Sequence, residues 1–401
     1  YLLKQVQSCR KDVLQHAIQQ GNMTFYLDLF LMLAAAIIMG LGAQRIGMPI
    51  VVGQLLAGVV LGPSLLNIVQ ISHSIEFMAE IGVMILMFIV GLETDIKQLK
   101  ANIKPSLMVA VLGAIFPMVV FYFLAQAYHF DTKQAIFWGV VFAATSVSIT
   151  AEVLNEYHQL KTRAGVTILG AAVADDILAV ASLSGFIAIF SGQADKQQPL
   201  WLQGLLAVGF FVGLYVVSRY VLPTFVRVAT KMSLPAMSGL VGMLLALGAG
   251  TVAEFAGISA VVGSFFIGVA IANLPQAHKM MSEMVSIGYG LFIPIFFASI
   301  GLKISFDGFG DKWGLLLVMS LAAILTKWVG SGLGAKMTGM SYHDANVIGL
   351  GMVSRGEMAL IVANIGLQAH VIGKDTYSEL AIIILVTTIF APIALRKVLV
   401  K

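Results

Sequence analysis

The chain has 401 residues, of which 59% are hydrophobic and 11% charged, where a soluble domain carries about 25% charged residues. That excludes a soluble globule, whose surface would lack charge, and also disorder, collagen and coiled coil. The formal net charge of +4, without a basic block, argues against a nucleic-acid binder, and the single cysteine, Cys9, excludes an intramolecular disulfide framework or zinc cluster.

At about 20 apolar residues per span, the chain has room for roughly a dozen membrane helices. Residues 1–24 come first, with Leu2, Leu3, Val6, Val13, Leu14, Ala17 and Ile18 near helical spacing. They read either as an amphipathic helix on the membrane surface or as a disordered extension. About thirteen apolar segments follow: 25–44, 49–69, 75–92, 105–128, 135–154, 163–191, 200–227, 234–253, 257–275, 284–302, 313–336, 344–369 and 376–398. The expected fold class is therefore an all-α polytopic membrane protein. Loops after odd-numbered segments, with the C-terminus, hold about fourteen Lys and Arg, against about five after even-numbered ones. This charge bias puts the C-terminus in the cytoplasm and the N-terminus outside.

One stretch returns. GMPIVVGQLLAGVV (Gly47–Val60) aligns with GISAVVGSFFIGVA (Gly257–Ala270) at an offset of 210, which also carries Gly91–Leu92 onto Gly301–Leu302 and Thr145–Ser146 onto Arg355–Gly356. The offset moves the chain seven segments on. Seven is odd, so the second copy runs inverted through the membrane, as in many secondary transporters. This divides residues 25–398 into a first repeat over about 25–191, a linker helix over about 200–227 and a second repeat over about 234–398.

Intramembrane charge costs roughly 2.5–3.5 kcal/mol per residue on insertion scales, so each such residue asks for a function. Asp175 and Asp176 lie mid-segment in TILGAAVADDILAVASLSGF, Lys327 in LAAILTKWVGSGLG, and Arg355 and Glu357 in GLGMVSRGEMALIVANIG. Adjacent helical residues point about 100° apart. One aspartate can therefore meet a cation on a neighbouring helix, for which Lys327 is the natural partner, while the other faces a water-filled cavity. Two carboxylates and one ammonium leave one negative charge for a proton or a metal cation. Hydroxyls such as those of Thr145 and Ser146, with carbonyls freed at a broken helix, would complete an oxygen site for a hard ion. Arg355 and Glu357 read as a polar pair that satisfies a helix break. Glu80, near the start of the third segment, reads as structural.

AVADDILAV, with TSVSIT and GLETD upstream and the Lys327 and SRGEM contexts downstream, resembles the monovalent cation:proton antiporter-2 family, and within it the bacterial two-aspartate sodium/proton antiporters. The likeness covers about residues 25–398. It implies a homodimer of thirteen-span protomers, with a core bundle, a dimerisation bundle and crossed broken helices at segments five and twelve. It implies Asp176 as the ion and proton carrier, Asp175 paired with Lys327, and Glu357 holding the broken helices. Glu152 stands where some relatives carry a neutral or basic residue. The implied activity is electrogenic exchange of cytoplasmic Na+ or Li+ for external H+ across a bacterial plasma membrane, by elevator-type alternating access and without a cofactor. K+/H+ exchange is the alternative. A channel suits an inverted repeat and a buried Lys–Asp pair less well. An intramembrane aspartyl protease needs aspartates on different helices sharing a proton.

Overall fold

The computed structural model describes residues 25–46, 48–94, 96–190, 200–229, 236–303, 313–368 and 370–399. The amphipathic reading of residues 1–24 falls outside them. In chain order come α1 (Phe25–Arg45), α2 (Ile50–Leu61), α3 (His73–Glu93), α4 (Ile96–Ala101), α5 (Ile103–Ala127), α6 (Thr132–Ala143), α7 (Val147–Glu156) and α8 (Arg163–Phe190). Then come α9 (Leu200–Val216) and α10 (Leu222–Ala229), joined by a π turn. The remainder are α11 (Met237–Phe255), α12 (Ala260–Ile271), α13 (Ala277–Ile287), α14 (Ile293–Leu302), α15 (Trp313–Met337), α16 (Tyr342–Gly351), α17 (Glu357–Gln368) and α18 (Lys374–Leu399). Among the described residues ten helical stretches are long and apolar enough to cross a membrane, and three apolar helices are shorter.

The offset of 210 reappears in the element bounds. It carries Ile50–Leu61 onto Ala260–Ile271 and Ile103–Ala127 onto Trp313–Met337, end to end. Even the caps correspond. The Asp131 carboxylate accepts the Gln134 N–H at 2.6 Å to start α6, and Ser341 Oγ accepts the Asp344 N–H at 3.0 Å to start α16. Packing follows the same rule. Gly58 of α2 lies against the backbone of Ala298 and Gly301 of α14, and Gly268 of α12 against that of Phe88 and Gly91 of α3. Each contact is the other's image under the offset. Small residues at these crossings let helices approach where lipid supplies no hydrophobic drive.

Three boundaries differ from the sequence expectation, each for a local reason. The segment expected over 49–69 is helical only to Leu61, because Gly62 and Pro63 follow and Pro63 cannot donate a backbone bond. The segment expected over 257–275 starts later, at Ala260, since Gly257 at φ +74° closes α11 in a left-handed turn. The segment expected over 284–302 begins earlier, at Ala277, and contains a π turn, Gly288–Phe292. Pro294 comes just after it, as Pro223 follows the π turn Val217–Val221. The missing proline N–H frees a carbonyl one turn back, and wider turns commonly absorb such a fault.

The helices pack as two bodies. α1–α3 and α11–α14 form one, and α5–α8 and α15–α18 the other, while α9 and α10 touch both. The seam between the bodies runs chiefly along α7 where it meets α2 and α3.

Gly301 faces the backbone of Leu55 and Gly58, whereas Gly42 on α1 faces open space. Gly301→Leu is expected to lower the thermal midpoint in detergent by the equivalent of about 1–3 kcal/mol of overpacking, with Gly42→Leu near wild type.

Candidate functional site

Two helices break at one place. α6 stops at Ala143 and α7 starts at Val147, while α16 stops at Gly351 and α17 starts at Glu357. The two interruptions are bonded to each other. The Ser146 N–H donates to the Ser354 carbonyl at 3.0 Å, and Ser354 Oγ donates to the Ser146 carbonyl at 2.6 Å. Thr150 Oγ1 on α7 donates to the Gly351 carbonyl.

Two buried cations satisfy further carbonyls at the breaks. Lys327 Nζ donates to the Ala143 carbonyl at 2.7 Å and to the two Asp175 oxygens at 3.0 and 3.2 Å. Arg355 donates from Nη2 to the Phe142 carbonyl at 2.8 Å, and from Nη1 to those of Val353 at 2.9 Å and Met352 at 3.2 Å. Thr388 Oγ1 on α18 donates to the Arg355 carbonyl. Lys327 and Arg355 are both 0% exposed. Each sits at the negative end of α6, where the helix dipole favours positive charge. Beside Lys327, Gly113 on α5 makes room for the Ser331 hydroxyl of α15, which a β-carbon there would strike.

The two adjacent aspartates have different surroundings. Asp175 is buried in the ion pair with Lys327, whereas Asp176 lines a cavity of about 550 Å³. Thr145, Val147 and Met84 line it at depth, and Glu76, Glu80 and Glu254 nearer its open end. At the rim Lys303 Nζ pairs with Glu76 Oε1 at 3.1 Å. Thr145 Oγ1 is buried without a hydrogen-bond partner. Ser146 is fully buried and lies in the crossing rather than among the residues lining the cavity. Glu357 opens α17, but its side chain lies outside the described residues. Glu80, read from the sequence as structural, lines the cavity.

Sequence reasoning missed one polar group. Tyr289 Oη donates to Glu152 Oε2 at 2.6 Å, and Asn155 Nδ2 donates to Tyr289 Oη at 3.0 Å. A tyrosine in an apolar segment carries no signal by itself. Buried Glu152, just past the middle of a half-helix of ten residues, is the signal that existed.

Removing one member of a buried ion pair strands the other and costs about 3–5 kcal/mol. Lys327→Ala is expected to lower the thermal midpoint accordingly. Adding Asp175→Asn to it should recover part of the loss, since no carboxylate is then buried unpaired.

With this geometry in hand, the chain was compared with known proteins. The family described as "Sodium/hydrogen exchanger, transmembrane" matches residues 31–401. A Na(+)/H(+) antiporter of Enterococcus hirae is 38% identical over 93% of this chain and 98% of its own. The Na(+)/H(+)-K(+) antiporter GerN of Bacillus cereus is 35% identical over 93% and 95% respectively. Among solved structures, the sodium proton antiporter MjNhaP1 from Methanocaldococcus jannaschii at pH 8 shares the fold, with a TM-score of 0.65 at 16% identity over 94% of this chain and 95% of that one. Built as a multi-pass helical membrane protein and matched along nearly its whole length, this chain belongs to the sodium/hydrogen exchanger family of transporters and is not an enzyme.

Proposed function

We propose that this protein exchanges cytoplasmic Na+ or Li+ for external H+ as an electrogenic secondary antiporter. One observation carries the reading: Asp176 lines a cavity beside crossed helix breaks, while its neighbour Asp175 is already matched by Lys327. With Asp175 held by Lys327, Asp176 is the carboxylate that faces the cavity. A cation and a proton compete for it there, since one carboxylate cannot hold both at full strength. That competition couples the two fluxes. The unpartnered Thr145 hydroxyl offers the cation a neutral oxygen beside the carboxylate. Electrogenicity requires more than one proton per sodium. In this reading Lys327 supplies the second by giving up its proton when the arriving ion loosens its hold on Asp175.

The wider architecture is part of the proposal. The ten long helices and three shorter apolar ones supply thirteen crossings, arranged as an inverted repeat over about 25–191 and 234–398 with a linker over 200–227. The matched element bounds and the reciprocal glycine contacts support it. Lys and Arg bias assigns the C-terminus to the cytoplasm of a bacterial cell and the N-terminus to the outside. The cavity rim, at the start of α3 and the ends of α11 and α14, is then external, and the structure is outward-facing. Alternating access would come from the body of α5–α8 and α15–α18 sliding against the other, which forms the homodimer contact. The likeness to the two-aspartate members of the monovalent cation:proton antiporter-2 family supports the same assignment of roles. It assigns Asp176 as carrier, Asp175 as the partner of Lys327, and Glu357 as a support of the broken helices, to which the residues themselves add Arg355.

K+/H+ exchange is the second reading, favoured by the potassium in the name of GerN, a relative 35% identical. Proteoliposomes carrying an internal pH dye separate the two. NaCl and LiCl should each shift the internal pH, KCl weakly and choline chloride not at all. An equal or larger response to KCl would select the alternative, and no response to any cation from folded protein would sink both. Asp176→Asn is expected to abolish the response while leaving the protein folded. Thr145→Val should instead raise the cation concentration needed for half-maximal exchange by roughly 5–30-fold, as loss of one ion-bound oxygen worth about 1–2 kcal/mol would.

A further inference from the structure

The seam between the two bodies carries a cluster of hydrogen bonds that the exchange chemistry does not use. All of them leave the last turns of α7. Glu152 Oε2 accepts from Tyr289 Oη at 2.6 Å, and Asn155 Nδ2 donates to the same hydroxyl at 3.0 Å. Glu156 Oε2 accepts from the Ile50 N–H at 3.2 Å. Tyr289 sits in the π turn between α13 and α14, and Ile50 is the first residue of α2. Both partners thus belong to the body opposite α7. Glu152 and Glu156 are four residues apart, so they share one helix face. That face is turned across the seam.

Position gives this cluster its meaning. α7 begins at Val147, which lines the cavity, and Glu152 lies roughly 7 Å further along at the helical rise. The bonds therefore lie past the deep end of the cavity, on the side away from its rim, where the two bodies are in contact. Opening the ion site to that side requires α7 to part from α3, from the π turn and from the start of α2. The loss includes a charged acceptor on the N-terminus of α2, where the helix dipole favours it, and a buried carboxylate that would lose its hydroxyl donor.

We propose that Glu152, Asn155 and Glu156, with Tyr289 and the Ile50 N–H, form an inner latch that holds the outward-facing state and must release for the inward-facing one. These are positioning residues. They touch neither cation nor carrier carboxylate, and set how the protein divides its time between the two states. The proposal deepens the exchange reading and rests on it for the existence of an inward-facing state.

Chemical labelling of the cavity tests the latch without requiring transport. In a background of Cys9→Ser, a Met84→Cys thiol lines the deep cavity. Its reaction with a membrane-impermeant maleimide, added outside vesicles of known orientation, reads the outward-facing fraction. Tyr289→Phe and Glu152→Ala are each expected to shift the outward-to-inward ratio by roughly two- to ten-fold, the change that loss of one hydrogen bond gives, and so to slow labelling by up to that factor. Glu152→Gln keeps an acceptor for the tyrosine hydroxyl and should restore the parent rate. A structural loss of packing would not be rescued this way. Asn155→Ala supplies the same comparison should Glu152→Ala not fold. Labelling in folded Tyr289→Phe and Asn155→Ala that is as fast as the parent, or faster, overturns the latch. Failure of the exchange reading is distinguishable, because it shows as a missing cation response in the parent protein, before any latch variant is made.

Discussion

In hydrocarbon a backbone carbonyl or amide released from its helix must find another partner or cost several kcal/mol, and this chain releases a set of them at one point by breaking two helices. Everything at the site follows from how that debt is met. The breaks meet part of it between themselves, through Ser146 and Ser354. Two cations meet more of it, Lys327 on the Ala143 carbonyl and Arg355 on those of Phe142, Met352 and Val353. Once Lys327 is buried for this purpose it needs a carboxylate, and Asp175 is that carboxylate. The ammonium that the break demands is thereby matched within the structure. Asp176 and Thr145 line the cavity beside it.

The two bodies have different kinds of interface. Within each, glycines bring helix backbones together, as Gly58 with Gly301 in one and Gly334 of α15 with Met108 and Val109 of α5 in the other. Such contacts are tight, apolar and hard to slide. Along the seam α7 adds to its apolar packing a few directed hydrogen bonds to Tyr289 and Ile50. Hydrogen bonds exchanged for water or for other partners change free energy by little. A seam of this kind is suited to two arrangements of similar energy, whereas a glycine crossing is suited to one.

Much of this was legible in the chain. Composition alone placed it in the membrane, and the offset of 210 announced two equivalent halves whose helices α2 and α12, and α5 and α15, share bounds. Apolar runs gave the helices but blurred their ends. Leu61 ends α2 because of the Gly62–Pro63 pair, and the π turn at Gly288–Phe292 precedes Pro294, both local effects that hydropathy averages away. Arg355 could be recognised as the support of a helix break. That it also reaches the Phe142 carbonyl of the other broken helix could not. Residues 142 and 355 are neighbours only because the breaks cross.

By itself, then, the sequence determined the solvent, the repeat and the identity of the charges that had to be explained, since each is a property of residue type and spacing. Tertiary structure decided where each aspartate lies. Asp175 and Asp176 differ by 100° around one helix and by nothing else in the chain, and only the placement of α15 turns the first toward Lys327 and leaves the second at the cavity. The same holds for Tyr289. It becomes a donor to Glu152 because a π turn on one body faces the end of α7 on the other, and no pattern along the chain records a distance between elements 137 residues apart.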